Sequence, residues 1–269
     1  MPKGIVTRYL VNTGLGLNEP VRIAQISDLH ERNCDWLLPM LKRQKPDLIV
    51  ITGDTLERYD NRPQYEFEHK PVKKAIINLL HYGNYLAVML EPKNMKTNIE
   101  NVVRVLRGAV KLAPVYMSLG NHEQKLMDED YRLLEDIGVI LLDNADTRVR
   151  INGFEFTLGG MSCWDYEEWL PTFIEKDGYK LLMCHNPSFY LSLLTDSGID
   201  LTLSGHTHGG QIRIGKKGMG FFVPTQGVFG RYAHGSFFDN RLIVSSGCSN
   251  TVAMPRLFNP RELVMITLK

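Results

Sequence analysis

Ser204-Gly205-His206-Thr207-His208-Gly209-Gly210-Gln211 places two imidazoles one residue apart, with glycines on both sides. Histidine is the commonest metal-ligating side chain, and glycine lets a backbone turn tightly enough for both rings to reach one centre. The preceding run, Gly198-Ile199-Asp200-Leu201-Thr202-Leu203, is short and apolar, as a buried strand is. The octapeptide therefore opens where a strand ends, the usual place for a site in an α/β sheet. A lone His-x-His is more often a surface turn than a ligand pair, so other stretches must decide.

Four further strand ends carry the same kinds of residue. Val21-Arg22-Ile23-Ala24-Gln25-Ile26 reads as a strand and delivers Ser27-Asp28-Leu29-His30. Alternate side chains of extended backbone face one side, so Asp28 and His30 can aim at one ion. Leu48-Ile49-Val50-Ile51-Thr52 delivers Gly53-Asp54, with a helix through Trp36 to Leu41 before it and a break at Pro46-Asp47. Ala113-Pro114-Val115-Tyr116-Met117-Ser118-Leu119 delivers Gly120-Asn121-His122-Glu123. This adds a neutral oxygen ligand and a proton carrier, although Asn-His could merely cap a helix from about Gln124 to Ile137. Tyr179-Lys180-Leu181-Leu182-Met183-Cys184 ends in His185-Asn186-Pro187.

Of the eight histidines, His30, His122, His185, His206 and His208 stand at strand ends, while His69, His81 and His234 are scattered. Two carboxylates, an amide and several imidazoles form a nitrogen and oxygen donor set without thiolate, suited to Mn, Fe or Zn rather than to a structural cysteine zinc site. The donors are too many for one tetrahedral ion.

The remainder is organised around these ends. Between 55 and 114, Pro71 opens a helix with Val72, Ile76, Leu79 and Leu80 at helical spacing, and Thr97-x-x-Glu100 is a capping box for a second. The polar stretches 55–70 and 91–96 read as exposed loop. Val139 to Leu142 and Arg148 to Leu158 are short strands, the latter folded at Asn152-Gly153. Leu242 to Ser246 and Val264 to Leu268 close the chain as strands, with Arg231, Tyr232 and His234 on a loop before them. Trp164, Trp169, Asp165, Glu167 and Glu168 form no motif and read as packing and solvated face.

With 269 residues and no linker or composition shift, the chain reads as one domain, 1–269. A formal net charge of +1 gives no whole-chain field for nucleic acid or anionic lipid, so phosphate recognition must be local. The start, Met1-Pro2-Lys3-Gly4, lacks a signal peptide's apolar core, which predicts a soluble cytoplasmic protein. Cys34, Cys163, Cys184 and Cys248 are scattered, as free thiols of a reducing compartment are.

Together, Asp28-x-His30, Gly53-Asp54, Gly120-Asn121-His122-Glu123, His185 and Gly205-His206-Thr207-His208 resemble, in order, the motif series of the calcineurin-like metallophosphoesterase superfamily. Gln25 to His30, His206 to Gln211 and Pro255 to Leu263 are similar to its bacterial YkuE/YaeI-like group. The resemblance implies an α/β fold, a four-layer α/β/β/α sandwich of two mixed sheets. It implies two divalent ions, manganese first with Fe, Zn, Ni or Co as alternatives. Asp28, His30 and His208 would hold one ion and Asn121, His185 and His206 the other, with Asp54 bridging and His122 as the catalytic histidine beside them.

Two features depart from the group. Asp54 and Asn121 are 67 residues apart, which leaves room for a rim or cap insertion within 55–114. The N-terminal anchor or export signal of many relatives is absent, leaving peripheral association as the membrane option.

The implied activity is phosphoester hydrolysis by a metal-bridging hydroxide. Two divalent ions against two carboxylates leave a double positive charge, matching a hydroxide and a singly charged phosphodiester, which favours diesters. A phosphomonoesterase or pyrophosphatase acting on a nucleotide or lipid-linked headgroup is the alternative. A non-catalytic scaffold would have lost ligands and none is missing, and a nucleic-acid partner lacks its basic, aromatic surface.

Overall fold

The computed structural model describes residues 4–58, 97–215, 218–251 and 256–269. The helix expected after Pro71, His69, His81 and most of the expected rim insertion lie outside them.

The first sheet contains β1 (Ile5–Val11), β2 (Val21–Ile26), β3 (Leu48–Thr52), β4 (Val115–Ser118), β5 (Val139–Leu141) and the last strand, Glu262–Leu268. The second contains β6 (Ala145–Ile151), β7 (Phe154–Met161), β8 (Lys180–Cys184), β9 (Leu201–Ser204) and two later strands. A separate hairpin pairs β10 (Gly220–Val223) with β11 (Gly227–Gly230); β12 (Gly235–Phe237) and β13 (Leu242–Val244) complete the second sheet, and Glu262–Leu268 is β14. The strand orders are β1-β14-β2-β3-β4-β5 and β12-β13-β9-β8-β7-β6. Both sheets are mixed: β14 runs against β2 and β6 against β7, while β2, β3, β4 and β5 are parallel, as are β7, β8, β9 and β13.

Alternation along each strand splits its side chains between two cores. Val21, Ile23, Leu48 and Val50 meet Leu181, Leu201 and Ile243 of the other sheet in a central core. Ala24, Ile26, Ile49 and Ile51 face outward to helices α1 (Leu37–Gln44), α2 (Ile99–Ala109) and α3 (Asp128–Ile137). On the far side of the second sheet, Leu182 and Val244 pack with Phe173 of α4 (Trp169–Ile174) and with Tyr190 and Leu194. The order of layers is helix, sheet, sheet, helix, as expected.

Local chemistry sets the helix ends. Lys45, at φ 48°, stops α1 in a left-handed turn ahead of Pro46. The cap of α2 is Asn98, whose side chain accepts from Glu100 N at 2.9 Å, not the expected Thr97 one residue earlier. Helix α3 begins at Asp128, later than expected, because Asp130 accepts from Met127 N at 3.0 Å and fixes the start there. Asn121 and His122 therefore do not cap it. No helix among the described residues is long and apolar enough to cross a membrane.

Candidate metal centre

Because β2, β3 and β4 are parallel in one sheet and β8 and β9 in the other, their carboxyl ends emerge side by side. The residues that follow them converge. Asp28, His30 and His208 bring ligand atoms within 4.8 Å of one another, as do His30, Asp54 and His122, and Asp54, His185 and His206. His30 Nε2 lies 3.6 Å from Asp54 Oδ2 and 3.8 Å from Asp28 Oδ1, and His208 Nε2 lies 3.5 Å from Asp28 Oδ1. Every candidate ligand from the sequence is buried, Asn121 included.

The backbone is strained to achieve this. Asp28, His30, Asp54, His206 and His208 all have φ between 47° and 69°. Non-glycine residues in the left-handed region cost about 1 kcal/mol or more each and persist only where the surroundings enforce them. The glycines keep the walls close: a Cβ on Gly205 would lie 1.8 Å from Ser27 Oγ, and one on Gly53, at φ +86°, would lie 2.5 Å from Gly120 N.

Each carboxylate is also a strut. Asp28 Oδ1 accepts from His206 N at 3.1 Å and Asp54 Oδ1 from His122 N at 2.9 Å, which ties the loop after β2 to the turn after β9 and the loop after β3 to the one after β4. Among the described residues the opposite oxygen of Asp28 has no hydrogen-bond partner, and neither do Asn121 Oδ1, His30 Nε2, His185 Nε2 and His206 Nε2. His185 Nε2 lies 3.0 Å from Asp54 Oδ2 without the alignment of a hydrogen bond, as two ligands of one ion would. Buried polar atoms are almost always paired, so this cluster of orphans fits cations in their midst.

Outer contacts turn several rings inward. His185 Nδ1 lies 2.6 Å from Thr52 O, and His30 Nδ1 lies 2.9 Å from Glu57 Oε1, leaving each Nε2 lone pair for the centre. His208 differs, since Arg256 Nη2 approaches its Nδ1 at 3.3 Å. Burial opposes charge on His30 and His185, yet the Asp28 and Glu57 carboxylates raise His30 to about 10 and Asp54 raises His185 to about 9, so a cation bound here would displace a proton from each ring. Burial pushes His206 and His208 down to about 3, further lowered by neighbouring cations. The Asp54 carboxyl is opposed by burial but held well below its usual range by the histidines around it.

Residues 21–210 match the calcineurin-like phosphoesterase family over the whole span that carries these strand ends. The chain belongs to that family. The chain is 28% identical to the uncharacterized protein YpbG of Bacillus subtilis over 93% of its own length and 81% of the relative's. It is 30% identical to phosphodiesterase YaeI of Escherichia coli over 65% and 66%, and 25% identical to the uncharacterized metallophosphoesterase YkuE of Bacillus subtilis over 92% and 79%. As a calcineurin-like phosphoesterase it is a metal-dependent phosphoester hydrolase, and the resemblance to the YkuE/YaeI group holds.

Three residues of this calcineurin-like site carry roles that the sequence did not assign to them. Glu57 contacts His30 and His122 together, and the signal for it was its place three residues after Asp54. Glu123 was visible only as the end of Gly120-Asn121-His122; its carboxylate accepts from the backbone N–H groups of Asp54, Thr55, Leu56 and Gly120 and so ties the two loops together. Arg256 stood in the stretch Pro255 to Leu263 likened to the YkuE/YaeI group, without a role of its own. It donates to Ser246 O at 2.6 Å and Ser249 O at 2.7 Å behind His208. Arg231, Tyr232 and His234 lie between β11 and β12 as loop residues, as expected, with Tyr232 N donating to Gln226 Oε1 at 3.1 Å.

Proposed function

We propose that the chain hydrolyses a phosphodiester at a dinuclear centre, with Asp28, His30 and His208 at one divalent ion and Asn121, His185 and His206 at the other. The observation that carries this reading is the position of Asp54. It groups with His30 and His122 on one side and with His185 and His206 on the other, as a shared ligand must. When bound, the ions would lower the pKa of a water and neutralise charge on the phosphate. A donor set without thiolate supports manganese first, with Fe, Zn, Ni or Co as alternatives.

The chain's own groups do the rest. His122 is turned by Glu57, whose Oε2 lies 2.8 Å from its Nδ1, so that Nε2 faces the cluster 4.0 Å from Asp54 Oδ2. Its side chain is 25% exposed, unlike the fully buried His30 and His185, so it can meet a substrate. From there it would donate the proton that an alkoxide leaving group needs. Two carboxylates against two divalent ions leave a charge suited to a diester monoanion better than to a monoester dianion. Four buried, free cysteines support a reducing compartment, and the cytoplasm is the proposed location.

The test is turnover on matched panels of diesters, monoesters and pyrophosphates, with each metal added back to stripped protein. Diesters should be hydrolysed fastest, with Mn²⁺ most effective. A clear preference for monoesters or pyrophosphates would overturn the substrate class and leave the hydrolase standing.

A further inference from the structure

Beyond the metal cluster, the segment after His208 forms a small ribbon. Ile212 pairs with Leu257 in a parallel bridge, Arg213 opposes Gly220, and Gly220 opposes Gly230 across the hairpin. That register aligns Leu257, Ile212, Phe221 and Phe229 in one row across four neighbouring segments. Phe221 N donates to Ile212 O at 2.8 Å, and the Phe221 and Phe229 rings meet edge to face at 5.7 Å. Directly opposed residues put their side chains on one face.

This face is open. Phe229 is 54% exposed and Leu257 46%, and the adjoining Phe258 is 86% exposed. The other face is closed down, since a Cβ on Gly220 would lie 2.5 Å from Gly210 Cα. Phe229 and Phe258 also sit at φ 57° and 55°, where bulky residues are genuine outliers. Within the described protein, nothing packs on the outer side of Phe258 to offset that cost.

The sequence of the ribbon segment is one-sided in charge. Residues 205–238 contain Arg213, Lys216, Lys217 and Arg231 and no Asp or Glu, in a chain whose net charge is only +1. Arg231 is exposed at the end of β11. Exposed aromatic and aliphatic side chains beside a segment whose sequence has four cations and no carboxylate match the boundary of an anionic bilayer.

We propose that this row docks on an anionic lipid surface, with Phe229, Leu257 and Phe258 entering the headgroup boundary. The ribbon is fastened to the metal centre: Asn259 Nδ2 donates to His208 O at 2.7 Å, and Arg213 Nε donates to Asn259 Oδ1 at 3.1 Å. Docking therefore sets the cluster beside the membrane surface. Given the proposed phosphodiesterase activity, on which this consequence rests, the substrate class becomes a diester headgroup carried by a lipid.

The test is co-sedimentation of the full chain with vesicles of one part phosphatidylglycerol to three parts phosphatidylcholine, and with phosphatidylcholine alone. The wild type should bind the anionic vesicles, and added salt should weaken binding. Phe229→Asp with Phe258→Asp should weaken it by at least roughly tenfold, while turnover of a soluble nitrophenyl diester is unchanged. Phe258→Ser, at the most exposed position, serves if the double variant misfolds, and should show a smaller loss. No binding by the wild type, or binding untouched by these substitutions, would overturn the inference. So would a dimer in solution that these substitutions dissolve, which would make a second copy the occupant. Vesicle binding is read without catalysis, so failure here leaves the hydrolase intact, and inactivity on every diester leaves docking intact.

Discussion

Glu57 Oε2 lies 2.8 Å from Nδ1 of His122, while the other oxygen of the same carboxylate lies 2.9 Å from Nδ1 of His30. One acidic side chain therefore fixes a proposed metal ligand and the proposed acid at once. Burial would lift the Glu57 carboxyl, but hydrogen bonds from both histidines hold it down at about 2. Glu57→Gln keeps the shape and supplies only one acceptor oxygen. It should lower metal affinity by roughly 10- to 100-fold and reduce turnover at saturating metal. Metal titration with activity at each point checks this; unchanged affinity and unchanged saturated turnover would leave Glu57 without that role.

His122→Ala should retain its metal and lose about 10²- to 10⁴-fold on alkyl phosphodiesters, whose leaving group needs a proton. Nitrophenyl diesters, whose leaving group hardly needs one, should suffer much less. Metal content together with turnover on one substrate of each type gives the result. An equal fall on both, or loss of metal, would remove the general-acid role.

Asp54 groups with histidines of both halves, whereas Asn121 is assigned to one ion. Asp54→Asn should therefore lower total metal content more than Asn121→Ala does. Elemental analysis after identical loading decides it, and equal content in the two variants would rule out the shared ligand.

Remote from the site, Arg22 Nη2 donates to Asp47 Oδ1 at 2.8 Å and Arg22 N to Asp47 Oδ2 at 2.8 Å, which joins β2 to the turn before β3. Burial raises the Asp47 carboxyl, but the Arg22 hydrogen bonds outweigh it and hold the group below its ordinary value. A carboxyl depressed in the folded state contributes stability that is present above its unfolded pKa, near 4, and is lost as pH falls through the folded value. The Arg22 side chain is 44% exposed and that of Asp47 18%, so solvent screens the pair and the contribution is at most about 1 kcal/mol. Asp47→Asn should be less stable than wild type at pH 7, with the difference shrinking below about pH 4. Urea titrations at pH 7 and pH 3 measure this, and a gap that persists undiminished at the lower pH would exclude the ionic contribution.

The strands that carry chemistry were legible because burial on both faces makes them near-continuous apolar runs, such as Leu48–Thr52, each stopped by a polar ligand. The strand Ile5–Val11 escaped notice because it lies on the edge of its sheet, with Arg8 and Thr7 breaking the apolar run. The ribbon of Ile212, Phe221 and Phe229 was hidden for another reason: its glycines and single bridges carry no periodicity, and its register exists only across chain segments distant in sequence. Asp28, Asp54 and the histidines announced themselves by standing after strands. Arg256 stood in the quoted stretch Pro255 to Leu263, but its role stayed hidden because most of its contacts are backbone carbonyls that no side-chain pattern encodes.

The central claim, two divalent ions held between the sheets, is tested most directly by metal content and diester turnover on one preparation. Stripped protein should hydrolyse bis(p-nitrophenyl) phosphate negligibly, and activity should return as metal approaches about two equivalents per chain. Saturation of content and activity at a single equivalent, or undiminished turnover after exhaustive chelation verified by elemental analysis, would contradict it.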